Sequence, residues 1–396
     1  LKIVFFTNAY TPIINGIVTT IHSYYQQLLN EGHQVQIFAP AYKGWHDHDP
    51  NIHRFPAVNL STQIYFPIAI PLFYNVHPLL KRFQPDIIHN HHPFILGKVG
   101  LQQAKQLQIP SVYTFHTQYE QYSHYFPMPQ KFVRWAGKKM IHNYTRQVDL
   151  LLAPAESIVS KLKEYDVQRE IEVLPNPVNF ELYQNLDRTS IRTQYNLGDC
   201  KLLLTVGRLG KEKNLEFMLQ SFFILLRKSS MDLRLMIVGA GPEERFLRDY
   251  AENLGMIDRV IFTGMVNPEQ IPHYYAAADL FLMTSTTETF GLVMIEALAS
   301  GLPVIAVKAN GSQDLIHHGV NGLLTIEDAE KFAEAIQTLL EDQALHHKIS
   351  KKAREFANHY SIKNLTNQLI MFYEEEIDKK KLLINSRPIF TYGAKV

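Results

Sequence analysis

A single cysteine, Cys200, stands in a chain of 396 residues. That excludes an internal disulfide and leaves no thiolate set for a structural zinc site. No apolar run approaches the roughly 18–20 residues that span a bilayer as a helix. The opening LKIVFF is too short for the apolar core of a secretory leader and lacks a cleavage pattern. Net charge is also nearly absent: 39 Lys and Arg against 38 Asp and Glu leave +1. Attraction to an acidic partner therefore has to come from a local patch. No segment is low in complexity and no repeat of about 20–50 residues recurs, which sets aside disordered tails and solenoids. The compartment expected from these absences is the cytoplasm.

What the chain does have is apolar content and alternation. Hydrophobic residues make up 46% and charged residues 19%, enough for a sizeable core. The length predicts two or more domains. Short β-rich runs, KIVFF (2–6), VQIFAP (35–40), DIIHNH (86–91), SVYTFH (111–116), DLLLAPA (149–155) and IEVLP (171–175), alternate with helical patterns at 18–31, 96–107 and 131–147. The alternation restarts at NLGDCKLLLTVGRLGKEKNLE (196–216) and continues through LRLMIVG (233–239), VIFTG (260–264), LFLMTS (280–285) and PVIAV (303–307). This is the pattern of βαβ units on parallel sheets. The fold class expected is α/β with two doubly wound domains, joined near PNPVN (175–179), where prolines hold the backbone extended. The tail 361–381 reads as one long helix with no strand after it.

Ligands of such sheets sit beyond the carboxyl ends of the strands. The unusual residues fall there: Gly16 after the first strand, His116 at the end of another, Arg208 after the first strand of the second domain, and Glu288 after LFLMTS. GRLGKEKN sets Arg208 and Lys213 in one strand-to-helix loop, which suits a phosphate or diphosphate; two solvated loop cations are the alternative. VGAGPEE (238–244) has Glu244 where a dinucleotide fingerprint needs its third glycine, so a Rossmann cofactor is poorly supported and a tight turn before a helix at Pro242 serves as well. In TSTTETFGLVMIEALASG (284–301), Glu296 lies in an otherwise apolar helix, 292–300. Burying even a neutral polar group without a partner costs on the order of 2–7 kcal/mol. A ribose contact or an internal salt bridge would each offset that. Glu288, just ahead of the helix, suits hydroxyls of a transferred sugar, and the Phe290–Gly291 amides at the helix start suit an anion.

Together E-x7-E with FG after the first Glu, GR with Lys five residues after the Arg, GAGP, FTGMV (262–266) and NGIVTT (15–20) resemble family-4 retaining glycosyltransferases of the GT-B fold, over nearly the whole chain. The resemblance implies two facing Rossmann-like domains. Residues 1–178 plus 361–396 would bind acceptor, with the last helix crossing back, and 179–360 would bind the nucleotide sugar. It implies catalytic roles for His116, Glu288, Arg208 and Lys213, the two cations clamping the departing diphosphate in place of a metal. It implies donor binding by Gly16, Gly239, Met265, Val266, Phe290, Gly291, Leu292 and Glu296. No metal and no cofactor is expected, and no enzymatic nucleophile. NGSQD (310–314) departs from the family pattern, which puts a ligand contact by Asp314 in doubt.

His89, His91 and His92 in HNHHPF suggest a metal set on spacing, but no carboxylates accompany them, and an acceptor-side or packing role is expected. HNHHPFILG (89–97) and YTFHTQYEQYSHY (113–125) resemble the glycerolipid subgroup, such as diacylglycerol glucosyltransferases. On a helical wheel of 131–146, Lys131, Arg134, Lys138, Lys139, His142 and Arg146 share an arc with Trp135, which suits an anionic membrane surface; a core-packed helix with a solvated basic face has the same wheel. The expected protein is a hexosyltransferase, peripheral on the inner face of the cell membrane, moving glucose or galactose from a UDP-sugar to a glycerolipid and not binding nucleic acid. A soluble or polysaccharide acceptor, or a non-catalytic sugar-nucleotide sensor, is the alternative.

Overall fold

The computed structural model describes residues 1–13, 15–59, 67–71, 75–118 and 129–386. The first seven-stranded sheet is built from β1 (Lys2–Phe6), β2 (Gln34–Pro40), β3 (Ile52–Phe55), β6 (Ile87–Asn90), β7 (Ser111–Thr114), β8 (Leu150–Ala153) and β9 (Ile171–Val173), in the order β3-β2-β1-β6-β7-β8-β9. A two-stranded antiparallel ribbon, β4 (Ala57–Asn59) with β5 (Pro67–Ala69), lies beside it. The second sheet has six strands, β10 (Lys201–Val206), β11 (Leu233–Val238), β12 (Val260–Gly264), β13 (Leu280–Met283), β14 (Val304–Val307) and β15 (Gly322–Thr325), in the order β12-β11-β10-β13-β14-β15. All neighbours within both sheets are parallel.

Central strands β8, β13 and β14 are apolar runs buried along their whole length, as expected of parallel strands covered on both faces, and β6 and β7 are as fully buried although they carry polar residues. The first sheet carries α1 (Gly16–Asn30), α2 (His77–Phe83), α3 (Leu96–Leu107), α4 (Gln130–Thr145) and α5 (Glu156–Lys163). The second carries α6 (Thr189–Gln194), α7 (Leu215–Lys228), α8 (Glu244–Asn253), α9 (Ile271–Ala277), α10 (Leu292–Ala299), α11 (Asn310–Leu315), α12 (Ala329–Glu341) and α13 (Gln343–Ala357).

The last helix, α14 (Ile362–Asn385), returns to the first sheet. Its Leu365, Leu369, Tyr373 and Ile377 join Tyr24, Tyr25 and Leu28 of α1 in one apolar core. The chain thus passes between the two sheets twice, and the passages are bonded side by side. The Val178 amide donates to the Tyr360 carbonyl at 2.9 Å, and the Ile362 amide to Val178 at 2.9 Å. In each sheet the strand order reverses beside its first strand, between β1 and β6 and between β10 and β13. The loops leaving those four strands are therefore the ones a ligand can reach.

Candidate functional site

The loop after β10 is shaped by glycine and held by hydroxyls. Gly207 has φ 152° and Gly239, at the end of β11, has φ 131°. A Cβ on Gly239 would lie 2.0 Å from the Gly207 carbonyl oxygen, so the close passage of two strand-end loops requires glycine there. The role expected for Gly239 in donor binding thus has a packing cause beside it. The hydroxyls of Thr284 and Ser285, both buried beyond β13, donate to the carbonyls of Lys213 and Glu212 at 2.8 Å. They fasten the loop carrying Arg208 and Lys213 to the segment carrying Glu288. Lys213 Nζ then meets Glu288 Oε1 at 2.5 Å, with both side chains about 20% exposed. Arg208 Nη1 lies 3.9 Å from Glu212 Oε1. Gly207, Arg208, Lys213 and Thr284 line one narrow cleft. Sequence spacing assigned the cation and the acid to different parts of a ligand; without a ligand they pair with each other.

Glu288 is followed by Phe290, buried, and by Gly291, whose φ of 81° lets the chain turn into α10. A Cβ on Gly291 would crowd the tip of Met294 at 2.4 Å. Leu292 opens the helix, and Glu296 is its one charged residue. No salt bridge to Glu296 occurs among the described residues, so the internal ion pair considered for it is not what holds it. Its Oε2 accepts the Tyr275 hydroxyl at 2.8 Å, and the Tyr183 side chain packs on Tyr275 beside the same carboxylate. Burial outweighs the pull of both tyrosines and pushes the carboxyl up to about 7. The carboxyl therefore takes up a proton in the fold at a pH where the unfolded chain has lost it. Glu296 adds stability that is fully present below about pH 4.5 and is lost as pH rises through 7. Unfolding at pH 6 and pH 8 should show the unliganded protein weakened at the higher pH, by roughly 1 kcal/mol from this group. Glu296→Gln should flatten that difference; an unchanged slope in the variant would assign it to other groups.

On the first sheet, Asn15 caps α1 by accepting from the Val18 amide at 2.9 Å. Gly16 begins the helix, and a Cβ there would meet nothing within 4 Å. Unlike Gly239, Gly16 is not required by packing. The buried histidines form a chain. His89 Nδ1 lies 2.6 Å from the Tyr373 hydroxyl and Nε2 2.7 Å from Thr114 Oγ1. Its ring stacks on His91 at 4.2 Å, and His91 Nδ1 meets His116 Nε2 at 3.0 Å. His92 Nδ1 accepts the Asn8 amide at 3.1 Å, tying the β1 loop to the β6 loop. Burial drives all four imidazoles down, His92 and His116 to about 3. His116 is thus neutral at physiological pH. Its Nδ1, buried, has no hydrogen-bond partner among the described residues. His116 lies just beyond β7, which ends at Thr114 and not at the expected 116.

Two contacts join the sheets near this point. Gln118 Nε2 donates to the Glu288 carbonyl at 3.4 Å. Ser157 Oγ donates to Asp314 Oδ2 at 2.5 Å, so Asp314, in doubt as a ligand contact, is engaged between α5 and α11. Met265 is 76% exposed beyond β12, with Val266 partly buried beside it. Lys131, Arg134, Trp135, Lys138 and Lys139 of α4 are all at the surface. Residues 119–128, which include much of YTFHTQYEQYSHY, lie outside the described residues. Tyr183, Tyr275, Thr284, Ser285 and Ser157 were not singled out from the sequence, because a lone hydroxyl carries no spacing signal.

Two parallel doubly wound sheets, with a cation–acid pair and a tyrosine-bonded carboxylate beyond the strand ends of the second, have the architecture of the GT-B glycosyltransferases. Residues 14–182 match the model of Glycosyltransferase Family 4, and residues 187–356 that of Glycosyl transferases group 1. The alpha-monoglucosyldiacylglycerol synthase of Streptococcus pneumoniae is 31% identical over 95% of this chain and 86% of its own length. That of Acholeplasma laidlawii is 28% identical over 98% and 100%. A GDP-mannose-dependent alpha-mannosyltransferase of Corynebacterium glutamicum is 28% identical over 95% and 89%. Among solved structures, Anabaena HepE in complex with UDP and glucose superposes with a TM-score of 0.75 at 20% identity, over 94% of this chain and 99% of that one. This chain belongs to glycosyltransferase family 4.

Proposed function

We propose that the protein moves a hexose, from UDP-glucose or UDP-galactose, to a membrane glycerolipid such as diacylglycerol, with retention and without a metal ion. In this reading the chain divides into 1–178 with 361–396 on the acceptor side and 179–360 on the donor side. Arg208 and Lys213 bind the diphosphate, Glu296 the ribose, and Glu288 the sugar. The base meets the backbone at Met265 and Val266, and Gly16, Phe290, Gly291 and Leu292 give the phosphates room and amides. His116 faces the reacting sugar as a neutral hydrogen-bonding group.

The observation that carries the lipid acceptor is the surface of α4. Its buried residues, Ile141, Tyr144 and Thr145, are confined to the last turns. The earlier turns expose Trp135 (56%) and Phe132 (52%), whose rings lie 5.9 Å apart. Lys139 Nζ sits 5.0 Å over the Trp135 ring. Aromatic rings ringed by cations suit the headgroup level of an anionic membrane, and two of the named relatives are lipid glycosyltransferases by name. Among the described residues no helix is long and apolar enough to cross a membrane.

Each Lys or Arg near such a surface contributes about 1 kcal/mol. The fourfold Lys131, Arg134, Lys138 and Lys139→Gln variant should therefore bind vesicles of anionic lipid about 10²–10³-fold more weakly. Wild-type binding should fall as salt rises, while donor hydrolysis in solution survives in the variant. Equal, salt-insensitive sedimentation of both proteins would remove α4 from the membrane account. A panel of sugar nucleotides offered with diacylglycerol, with products weighed by mass spectrometry, tests donor and acceptor directly; product only on a water-soluble acceptor would overturn the lipid reading.

A further inference from the structure

The geometry points to Tyr183 and Tyr275 as positioning residues that aim the Glu296 carboxylate at the ribose, Tyr183 being supplied by the chain passage between the sheets. This rests on the assignment of Glu296 to the ribose.

The buried residues of α10 are Met294, Ile295, Ala297, Leu298 and Ala299, all apolar. In that setting a half-buried carboxylate bonded to one tyrosine is a weak folding device, because replacing charged groups brought out of water by apolar packing is often neutral or stabilising. The arrangement is therefore explained by what the carboxylate does. An ionised carboxylate only accepts, at about four lone-pair positions. The Tyr275 hydroxyl fills part of that capacity and sets the plane of the group. Tyr183, packed edge-on to Tyr275 and itself pulling on the carboxyl, holds that hydroxyl in place and leaves the rest for a pair of ligand hydroxyls.

The tyrosines are themselves held. Tyr275, 1% exposed, packs its ring edge-on to Tyr183 at 5.8 Å and against Phe281 at 5.6 Å. Tyr183 ends a short helical turn, Phe180–Tyr183, and the next residue, Gln184, donates from Nε2 to the Ala299 carbonyl at 2.8 Å. That turn begins just after Val178, where the two chain passages are bonded together. The segment that leaves the first sheet is thus seated on α10 at Ala299 and on Tyr275, the partner of Glu296, before the second sheet begins.

The test uses Tyr183→Phe, Tyr275→Phe, the double variant and Glu296→Gln, which keep the rings and the shape of the helix. Calorimetry would compare whichever of UDP and GDP binds more tightly with its 2′,3′-dideoxy analogue, alongside donor KM, kcat and melting temperature. The wild type is expected to prefer the ribose form by on the order of 10–100-fold. Each Tyr→Phe change should cut that preference by about 3–10-fold, the double variant should approach Glu296→Gln, and KM should rise more than kcat falls. If Glu296→Gln loses the preference while both tyrosine variants keep it, whatever their melting temperatures, the positioning role is overturned. If Glu296→Gln itself keeps the preference, the ribose assignment beneath it fails.

Discussion

Arg208→Ala and Lys213→Ala are each expected to lower kcat by about 10²–10³-fold, the scale seen when one preorganised charge-stabilising donor is removed. As the bond from the sugar to the diphosphate breaks, negative charge collects on the departing phosphate oxygens. An Arg fork and a Lys point charge can neutralise it only if they stand in place beforehand. The structure shows how the backbone of their loop is held: Thr284 and Ser285 donate to the carbonyls of Lys213 and Glu212, and Gly207 and Gly239 let the two loops pass in contact. Little rearrangement is then left for the moment of reaction. Lys213→Ala also strands Glu288, so the double variant Lys213→Ala, Glu288→Gln separates the lost clamp from the uncompensated acid. It should recover stability but not turnover. Wild-type activity should persist in EDTA; a strict need for Mg²⁺ or Mn²⁺ would show that these cations do not replace a metal.

The parts of this site that were legible in the sequence are those whose signal is local. The parallel sheets were readable because β13 is apolar along its length, β10 has an apolar centre in Leu202, Leu203 and Leu204, and each is trailed by a helical period. The short edge strand β15 was missed. It opens on Gly322, whose hydrogen sits where a Cβ would come within 2.4 Å of the Val304 carbonyl, a close strand approach that reads in sequence as a turn. The antiparallel pair β4–β5 escaped for similar reasons of length. Glu296 stood out as an acid in an apolar helix, yet its partners could not be read, because Tyr183 and Tyr275 come from separate elements. The pairing of Lys213 with Glu288, 75 residues apart in sequence, was equally hidden. Glycines illustrate the same limit: Gly16 and Gly239 looked alike as ligand-facing positions, and only packing separates the free one from the required one. The helical wheel of α4 located its basic face and Trp135 but did not place Phe132 beside it.

The pairing of Lys213 with Glu288 leads to the second large effect, which splits binding from turnover. Without a donor, the Lys213 ammonium is held by Glu288 at 2.5 Å. An arriving diphosphate has to share that ammonium and also approach the carboxylate. Two like charges about 8 Å apart repel by about 0.5–2 kcal/mol at effective dielectric constants of 80 to 20. Glu288→Gln removes the competitor and the repulsion while keeping the shape of the segment against which Gly311 packs. UDP should therefore bind about 3–10-fold more tightly to the variant. Turnover should move the other way, by on the order of 10²-fold or more, because a carboxylate beside the donor sugar acts most strongly once positive charge develops at the anomeric carbon. A lower KM together with a lower kcat is the signature of an interaction that strains the ground state and stabilises the transition state. Calorimetry with UDP and steady-state kinetics with the productive donor check the two halves separately. UDP affinity at or below the wild-type value would mean that Lys213 is not contested between acid and phosphate. Near-normal turnover would remove Glu288 from the chemistry and leave it as the counter-ion that keeps Lys213 in place.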